Sequence, residues 1–381
     1  MIYLDYNATT PLHPKVIQAM LPYLETHFAN PSSPHRWGKK AKEGLEKARS
    51  QVAQFIEARE EEVVFTSGGT EGNNHVLLGT TILSGKKKGH IITSSIEHPS
   101  ILAPLAFLEE QGFHVTYLPV DHYGIVDIEV LKKSIRKSTL LVSIMAANNE
   151  VGTLQPLREI REITQKKGVL FHTDGAQWMG KLPFSVKEIG VDFLTFAGHK
   201  MYGPKGVGVI YIRKGIKLPP LLKGASHEKG RRGGTENLPA IVGLGKAASL
   251  AKQSIKKNMR DLQKKRDFLE TLLLKDFPEA TVHGHRENRL PNTLSIAFPG
   301  VLAMELMEIV QNQVAFSAGA ACHGKGSGKI SHVLKAMKVP KTLAKSTVRL
   351  STGQFTSIEE TEKGAQKILR ALRKILKSRK K

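Results

Sequence analysis

The sequence has a single cysteine, Cys322, in 381 residues. That excludes an internal disulfide framework and any metal site built on several thiolates. No apolar run approaches the ~20 residues that a membrane-spanning helix needs. The opening stretch, MIYLDYNATT, has neither a basic n-region nor an apolar h-region, so no signal peptide is expected. Together these absences point to the cytoplasm. Acidic residues are also scarce: 34 Asp and Glu stand against 57 Lys and Arg, a formal charge of +23. A field of that sign would attract nucleic acid, anionic lipid or an acidic protein. The basic residues gather where a solvated surface would put them: Lys86 to Lys88, the stretch from Lys252 to Lys275, and the tail Arg370 to Lys381. The tail continues an amphipathic helix with Ile368, Leu369, Leu372, Ile375 and Leu376 on its apolar face. No aromatic side chains interleave with its charges, as a single-strand binding surface would require. Neither a membrane nor a specific nucleic acid is expected as a partner.

Hydrophobic residues at 40% and charged residues at 24% are ordinary for a globular chain. The length allows one large domain with a smaller companion. The first half alternates short apolar runs with helical patterns: strands at 62–67, 90–95, 113–120, 139–147, 169–174, 193–198 and 206–212. Strands alternating with helices predict an α/β fold whose sheet is mostly parallel and covered on both faces. The segment 214–235 is rich in glycine, proline and charge and reads as a long loop. A helical pattern then runs from about Leu238 to Lys275. After it come strands at 292–298 and 346–351 and helices at 303–312 and 330–338. The expected division is a large domain over 14–250 and a smaller α/β domain formed by 1–13 and 251–381, the N-terminal segment packing on either.

Sheets of this kind bind ligands beyond the carboxyl ends of their strands, and those ends carry unusual residues. Gly69 and Thr70 open a helix after the strand at 62–67, offering backbone N–H groups and a hydroxyl to an anion such as a cofactor phosphate. The same pattern also serves as a plain turn and cap. His98 follows the next strand and precedes Pro99; it is either a cap residue or a ring that lies on an aromatic cofactor. Asp174 ends the strand VLFHTD, with Gln177 three residues on. An acid there fits the partner of a pyridine nitrogen, and fits a turn or cap equally. Gly198, His199 and Lys200 follow FLTFA. Most lysines point to solvent, but one in a loop after a buried strand can be desolvated, and its free amine then suits Schiff-base chemistry. The company of an anion loop, a carboxylate and an imidazole favours that reading for Lys200.

Cys322 lies in SAGAACHGKGSGK, among small residues with nothing bulky to pack against. His323, Lys325 and Lys329 bring positive charge, which favours the nucleophilic thiolate. Gly319 to Lys325 spell out most of a phosphate-binding P-loop, but Gly326 stands where such a loop needs Ser or Thr, so nucleotide triphosphate hydrolysis is excluded. His283 and His285 lack the thiolate or HExxH context of a zinc site, and no metal is expected.

Taken in order, YLDYNATTP, FTSGGTEGNN, SSIEHPS, ANNEVGT, HTDGAQ, GHKMYGPKG, RRGGTEN, SAGAACHG and VRLSTG resemble the motif series of the cysteine desulfurases, pyridoxal phosphate enzymes of the class V aminotransferase fold. The resemblance runs from Tyr3 to about Gly353. It implies that Lys200 carries pyridoxal 5'-phosphate as a Schiff base, that His98 stacks on the ring, and that Asp174 pairs with the ring nitrogen. It implies further that Gln177 and Asn149 contact the phenolic oxygen and its surroundings. Gly69, Thr70 and His199 fall to the phosphate, with Thr235 reaching it from the second subunit of a homodimer. Arg349, with Asn149 nearby, would hold the substrate carboxylate, and Cys322 would accept sulfur from L-cysteine, leaving L-alanine. The sulfur would then pass to an acceptor or iron–sulfur scaffold protein, one of acidic surface suiting the +23 charge. Two positions depart from the pattern. Ala197 and Gly233 stand where many members have serine, so one phosphate hydrogen bond is expected to be missing. The same motifs are similar to those of selenocysteine lyases, which leaves L-selenocysteine as the alternative substrate. A class V aminotransferase without sulfur chemistry and a nucleic-acid-binding protein are the remaining rivals.

Overall fold

The structure, a computed structural model, describes residues 1–86, 88–319 and 330–379. Its centre is a seven-stranded sheet. From edge to edge the strands are Val63–Thr66, Gly208–Ile212, Phe193–Ala197, Leu170–Asp174, Thr139–Ser143, His90–Ser94 and His114–Leu118. Only the strand Gly208–Ile212 runs antiparallel to its neighbours; the other pairings are parallel. The strands His90–Ser94, Phe193–Ala197 and Gly208–Ile212 are buried at every position, as strands covered on both faces must be. By contrast His114–Leu118, at the edge, leaves His114 and Tyr117 exposed. One backbone approach is decisive. A Cβ on Gly208 would lie 2.7 Å from both Gly68 Cα and Phe196 O, so glycine there lets the antiparallel strand close against the turn that opens the next helix.

A second, four-stranded antiparallel sheet orders Ser317–Ala318, Thr347–Ser351, Thr293–Ala297 and Thr281–His283. The first residues, Ile2–Tyr3, pair in parallel with Val314–Ala315. The helix Leu238–Asp276 joins the two parts: its Leu244, Ala247 and Ala248 belong to the apolar core of the large sheet, and its Leu269 and Leu273 to the core of the small one. Position 250 therefore lies inside one continuous helix. Ile2 and Leu4 sit in the small-sheet core, whereas Val16, on the helix Pro14–Glu25, sits in the other. The C-terminal helix Ile358–Ser378 buries Ile368, Leu369, Leu372 and Ile375, the stripe its spacing implies. Its start carries a capping box between Ser357 and Glu360.

One long helix has no counterpart in the sequence reading. Arg36–Ile56 packs on the Leu238–Asp276 helix and buries small residues, Ala48 against Gly245 of that helix and Gly44 against Tyr23 of the helix Pro14–Glu25. A Cβ on Gly245 would meet Ala48 Cα at 2.6 Å, so the two backbones approach too closely for larger side chains. Alanine and glycine on a heavily charged helix give a faint apolar period.

Candidate active site

A cavity of about 440 Å³ opens beyond the carboxyl ends of the central strands. Gly69, Thr70, His98, Asn149, Asp174, Gln177, His199, Lys200 and Arg349 all line it. A groove of about 650 Å³ elsewhere, between Trp178, Phe184 and Lys252, is larger but gathers none of these strand-end groups. Chemistry rather than volume therefore marks the site.

Lys200 ends a short turn, Gly198–Lys200, directly after the strand Phe193–Ala197. Its Nζ donates to Asn7 O at 2.6 Å and Ala8 O at 2.8 Å. Burial lowers its pKa to about 8, and the Arg349 guanidinium pushes the same way against Asp174 and Asp5. A larger share of the amine is thus neutral near pH 7 than on a free lysine, which is what imine formation requires. The loop beyond it is pinned at Tyr202, whose φ is +64°. Tyr202 N donates to Thr10 Oγ1 at 2.8 Å, and its hydroxyl accepts from Gln354 N at 2.5 Å.

Asp174 is held on both oxygens. Oδ2 accepts from Asn73 Nδ2 at 2.7 Å, and Oδ1 from Ala176 N at 2.8 Å. Asn73 also donates to Ser100 Oγ at 2.8 Å and accepts from the Thr195 hydroxyl. Ser100 Oγ in turn lies 2.8 Å from His98 Nδ1, and Ser100 N donates to the same nitrogen at 3.1 Å. His98 Nδ1 therefore accepts from Ser100 N. His98 caps the helix Pro99–Glu110 and also lines the cavity.

The anion end is open and neutral. Gly69 and Thr70 start the helix Gly69–Leu83, and a Cβ added at Gly69 would meet nothing closer than Ala197 Cβ at 3.8 Å. Backbone N–H groups at such a helix start suit a phosphate. His199 Nδ1 lies 3.1 Å from Thr9 Oγ1. Burial, with Lys200 and Lys205 nearby, lowers the His199 pKa to about 4, so its ring is neutral at pH 7. Ala197 supplies no hydroxyl here.

Arg349 brings the small sheet to the site. Its Nη1 donates to Asn149 O at 3.0 Å, and its Nη2 to Asp5 Oδ1 at 2.8 Å and Ser317 Oγ at 3.0 Å. Its Nε is buried with no hydrogen-bond partner among the described residues, a donor left for an incoming acceptor. The cavity, the helix start, the acid, the lysine and this guanidinium fit a group with a phosphate, a basic ring nitrogen and an aldehyde, and a substrate with a carboxylate.

Two expected residues stand apart. Thr235 is exposed and does not line this cavity. Its loop is fastened next to the anion end: Arg232 pairs with Glu71 at 2.6 Å, and Arg49 forks onto Glu228 at 2.8 and 2.9 Å. Cys322, with its basic neighbours and most of the P-loop-like run, lies outside the described residues. The residues on either side of that stretch are tied to the cavity's rim. Ser317 bonds Arg349, Ser331 donates to Glu150 Oε2 at 2.5 Å, and His332 Nε2 lies 2.8 Å from Glu97 O. His283 is a structural histidine, buried with Nε2 3.1 Å from Thr347 Oγ1. Among the described residues no cluster of three or more His, Cys, Asp or Glu is placed to hold a metal ion.

Asn7, Asn73 and Ser100 were not singled out by sequence. A signal existed for Asn73, which follows Thr70 by three residues and so shares its helix face. For Asn7 there was only its place inside YLDYNATT.

The family model described as aminotransferase class-V matches residues 2–363. The chain is 44% identical to the cysteine desulfurase IscS of Dictyoglomus turgidum over 360 residues, 94% of this chain and 91% of that protein. To the cysteine desulfurase IscS of Methanosarcina thermophila it is 45% identical, over 95% of this chain and 89% of that one. Among solved structures, a NifS-like protein superposes with a TM-score of 0.92 at 37% identity, covering 98% and 99% of the two chains. SspA in complex with cysteine gives 0.80 at 34% identity, over 93% and 99%.

Proposed function

The chain belongs to the class-V aminotransferase family, and from that premise we infer that it is a pyridoxal phosphate-dependent cysteine desulfurase, converting L-cysteine to L-alanine with the sulfur taken by Cys322 as a persulfide. The observation that carries this reading is the meeting of Lys200, Asp174, His98 and Arg349 at one cavity in a chain so similar to proteins named cysteine desulfurase. Those names favour cysteine over selenocysteine as substrate.

Gly69, Thr70 and His199 would hold the phosphate, Asp174 the ring nitrogen, His98 the ring face and Gln177 the phenolic oxygen. Bound there, the cofactor supplies an electron sink that lets the substrate's α-proton leave. Arg349 holds the substrate carboxylate by its planar fork. Lys200, its pKa lowered to about 8, takes that proton and returns it as a general base and acid. The Cys322 thiolate attacks the substrate sulfur. A sulfur–sulfur bond forms as the substrate's carbon–sulfur bond breaks, and the electron pair left on carbon is protonated to give alanine. The persulfide then yields its sulfur for iron–sulfur clusters or thiolation.

A homodimer is part of the proposal. Thr235 is exposed, as a residue serving a second subunit would be. Ile17, Leu21 and Leu24 are exposed on one helix, close in sequence to the exposed Phe28 and Trp37, whose rings lie 5.7 Å apart. The exposed Lys252, Lys256, Lys257 and Arg260 offer an acidic sulfur acceptor a docking face. Nucleic-acid binding is not favoured: the tail's apolar face is buried, and Arg373 and Arg379 pair with Asp276 and Glu305. No helix among the described residues is long and apolar enough to cross a membrane, and work in the cytoplasm is proposed.

The test is alanine release from L-cysteine and L-selenocysteine by the wild type and by Cys322→Ala and Lys200→Ala. Release from cysteine that both variants lose is expected, with the visible cofactor band kept in Cys322→Ala alone. Retention of the band and of release in Lys200→Ala refutes the reading. Release chiefly from selenocysteine, surviving in Cys322→Ala, makes the protein a selenocysteine lyase.

A further inference from the structure

Lys181 has no part in the reaction above, yet it is 5% exposed and lies four residues beyond Gln177 in a run of turns. Its Nζ donates to Gln177 Oε1 at 2.7 Å, Gln177 O at 3.1 Å and Asn7 Oδ1 at 3.3 Å. No carboxylate pairs with it among the described residues. The charged groups that act on it are both cations, Lys200 and Arg349, and burial opposes its charge more strongly than either. A buried lysine so placed is costly to keep. What it gains is geometric: three acceptors surround its Nζ, and no donor does among the described residues.

Lys181 Nζ, surrounded by acceptors, donates to Gln177 Oε1, and a peptide carbonyl only accepts. Between them they fix the Gln177 amide, with Oε1 turned to Lys181 and Nε2 donating to Asn7 O at 2.9 Å. The flipped amide would set donor against donor and acceptor against acceptor. The second N–H of Nε2 then remains for the cavity that Gln177 lines. We propose that Lys181 is a positioning residue: it locks Gln177 so that an N–H, and not a carbonyl oxygen, faces the phenolic oxygen of the cofactor ring. This rests on the cofactor reading above. Asn7 O also accepts from Lys200 Nζ, so the lock shares an atom with the lysine that carries the chemistry.

The test loads the wild type, Lys181→Met, Gln177→Met and the double variant with pyridoxal phosphate, and reads the pH midpoint of the visible absorbance. An N–H on the phenolic oxygen stabilises its anion, so its loss raises the midpoint. The expected rise is about one unit, the equivalent of one hydrogen bond to a charged oxygen. Both single variants move upward and the double variant matches Gln177→Met, because both changes remove the same bond. Lys181→Gln, whose amide both donates and accepts and so no longer forbids the flip, moves the midpoint the same way; it covers the case in which Lys181→Met does not fold. An unmoved midpoint in folded Lys181 variants, or shifts that add, overturns the proposal. A wild type with no visible band overturns the cofactor reading beneath it.

Discussion

Replacing Glu97 by glutamine should stabilise the protein at neutral pH while leaving it unchanged in acid. Glu97 is fully buried beside His98. Its Oε1 accepts from Ser94 Oγ at 2.6 Å and Met145 N at 2.9 Å, whereas its Oε2 has no partner. Burial raises its pKa from 4.5 to about 8, with the Asp174 charge adding to the rise against those two hydrogen bonds. The folded protein therefore keeps a proton on Glu97 up to about pH 8, while the unfolded chain loses it near 4.5. Between those values the folded state binds one more proton, so stability falls as pH rises, by about 1.4 kcal/mol per unit. That amounts to roughly 3 kcal/mol by pH 7 and roughly 5 kcal/mol above pH 8, and none below pH 4.5. Glutamine keeps the acceptor on Oε1 and puts an amide where the carboxyl's O–H would stand, without the titration. For 381 residues, at about 2 cal/mol/K of unfolding entropy each, 3 kcal/mol is about 4 °C in Tm. The assay is the Tm difference between Glu97→Gln and the wild type from pH 4.5 to 8.5. It should be near zero in acid and open toward alkaline pH. A gap independent of pH, or a variant that melts below the wild type at pH 8, refutes the reasoning.

Two further substitutions probe the supports of the site. Asn73→Ala strips Asp174, Ser100 and the Thr195 hydroxyl of a shared buried partner. It should cost about 1–3 kcal/mol of stability and weaken pyridoxal phosphate binding by about tenfold, read by thermal melts and by fluorescence titration of the cofactor. Arg49→Met leaves the buried Glu228 carboxylate without its cation. It should cost about 3–5 kcal/mol in urea melts, most of it recovered by the double change Arg49→Met/Glu228→Gln; no recovery would mean that the arginine acts by packing on Phe65, over whose ring its guanidinium sits.

Much of the fold was legible because of how parallel sheets are covered. Strands such as HIITS and FLTFA are buried on both faces, so they read as unbroken apolar runs, and the loops after them stand out by contrast. The pairs Ile2–Tyr3 and Val314–Ala315 were not legible. They are two residues each, and what makes them strands is a partner some three hundred positions away. The helix Arg36–Ile56 was hidden by its small buried residues, of which Ala48 packs against Gly245 across from it. At the site, the same contrast between strand and loop exposed Asp174, His199 and Lys200. It could not expose Lys181, which sits in a turn-like GKLP and reads as a solvent lysine until its burial is seen.

Asn7 shows why some of a site must escape a linear reading. Its carbonyl takes Gln177 and Lys200, 170 and 193 positions away, and its side chain takes Lys181 and Asn292. Two residues before it, Asp5 holds Arg349 at 2.8 Å. The N-terminal segment thus spans from the proposed carboxylate binder to the proposed cofactor lysine with one intervening residue between Asp5 and Asn7. It also carries Leu4 in the small-sheet core. The charges it gathers are lopsided. Lys181, Lys200 and Arg349 stand against Asp5 and Asp174, and the Arg349 charge helps lower the pKa of both lysines. A cavity with that surplus, and with helix N–H groups open at one end, is least strained when a phosphate and a carboxylate are bound in it. The depressed lysine and the proposed anion sites are therefore linked: the Arg349 charge, which adds to burial in lowering the Lys200 pKa, is one that the anionic groups of cofactor and substrate would relieve.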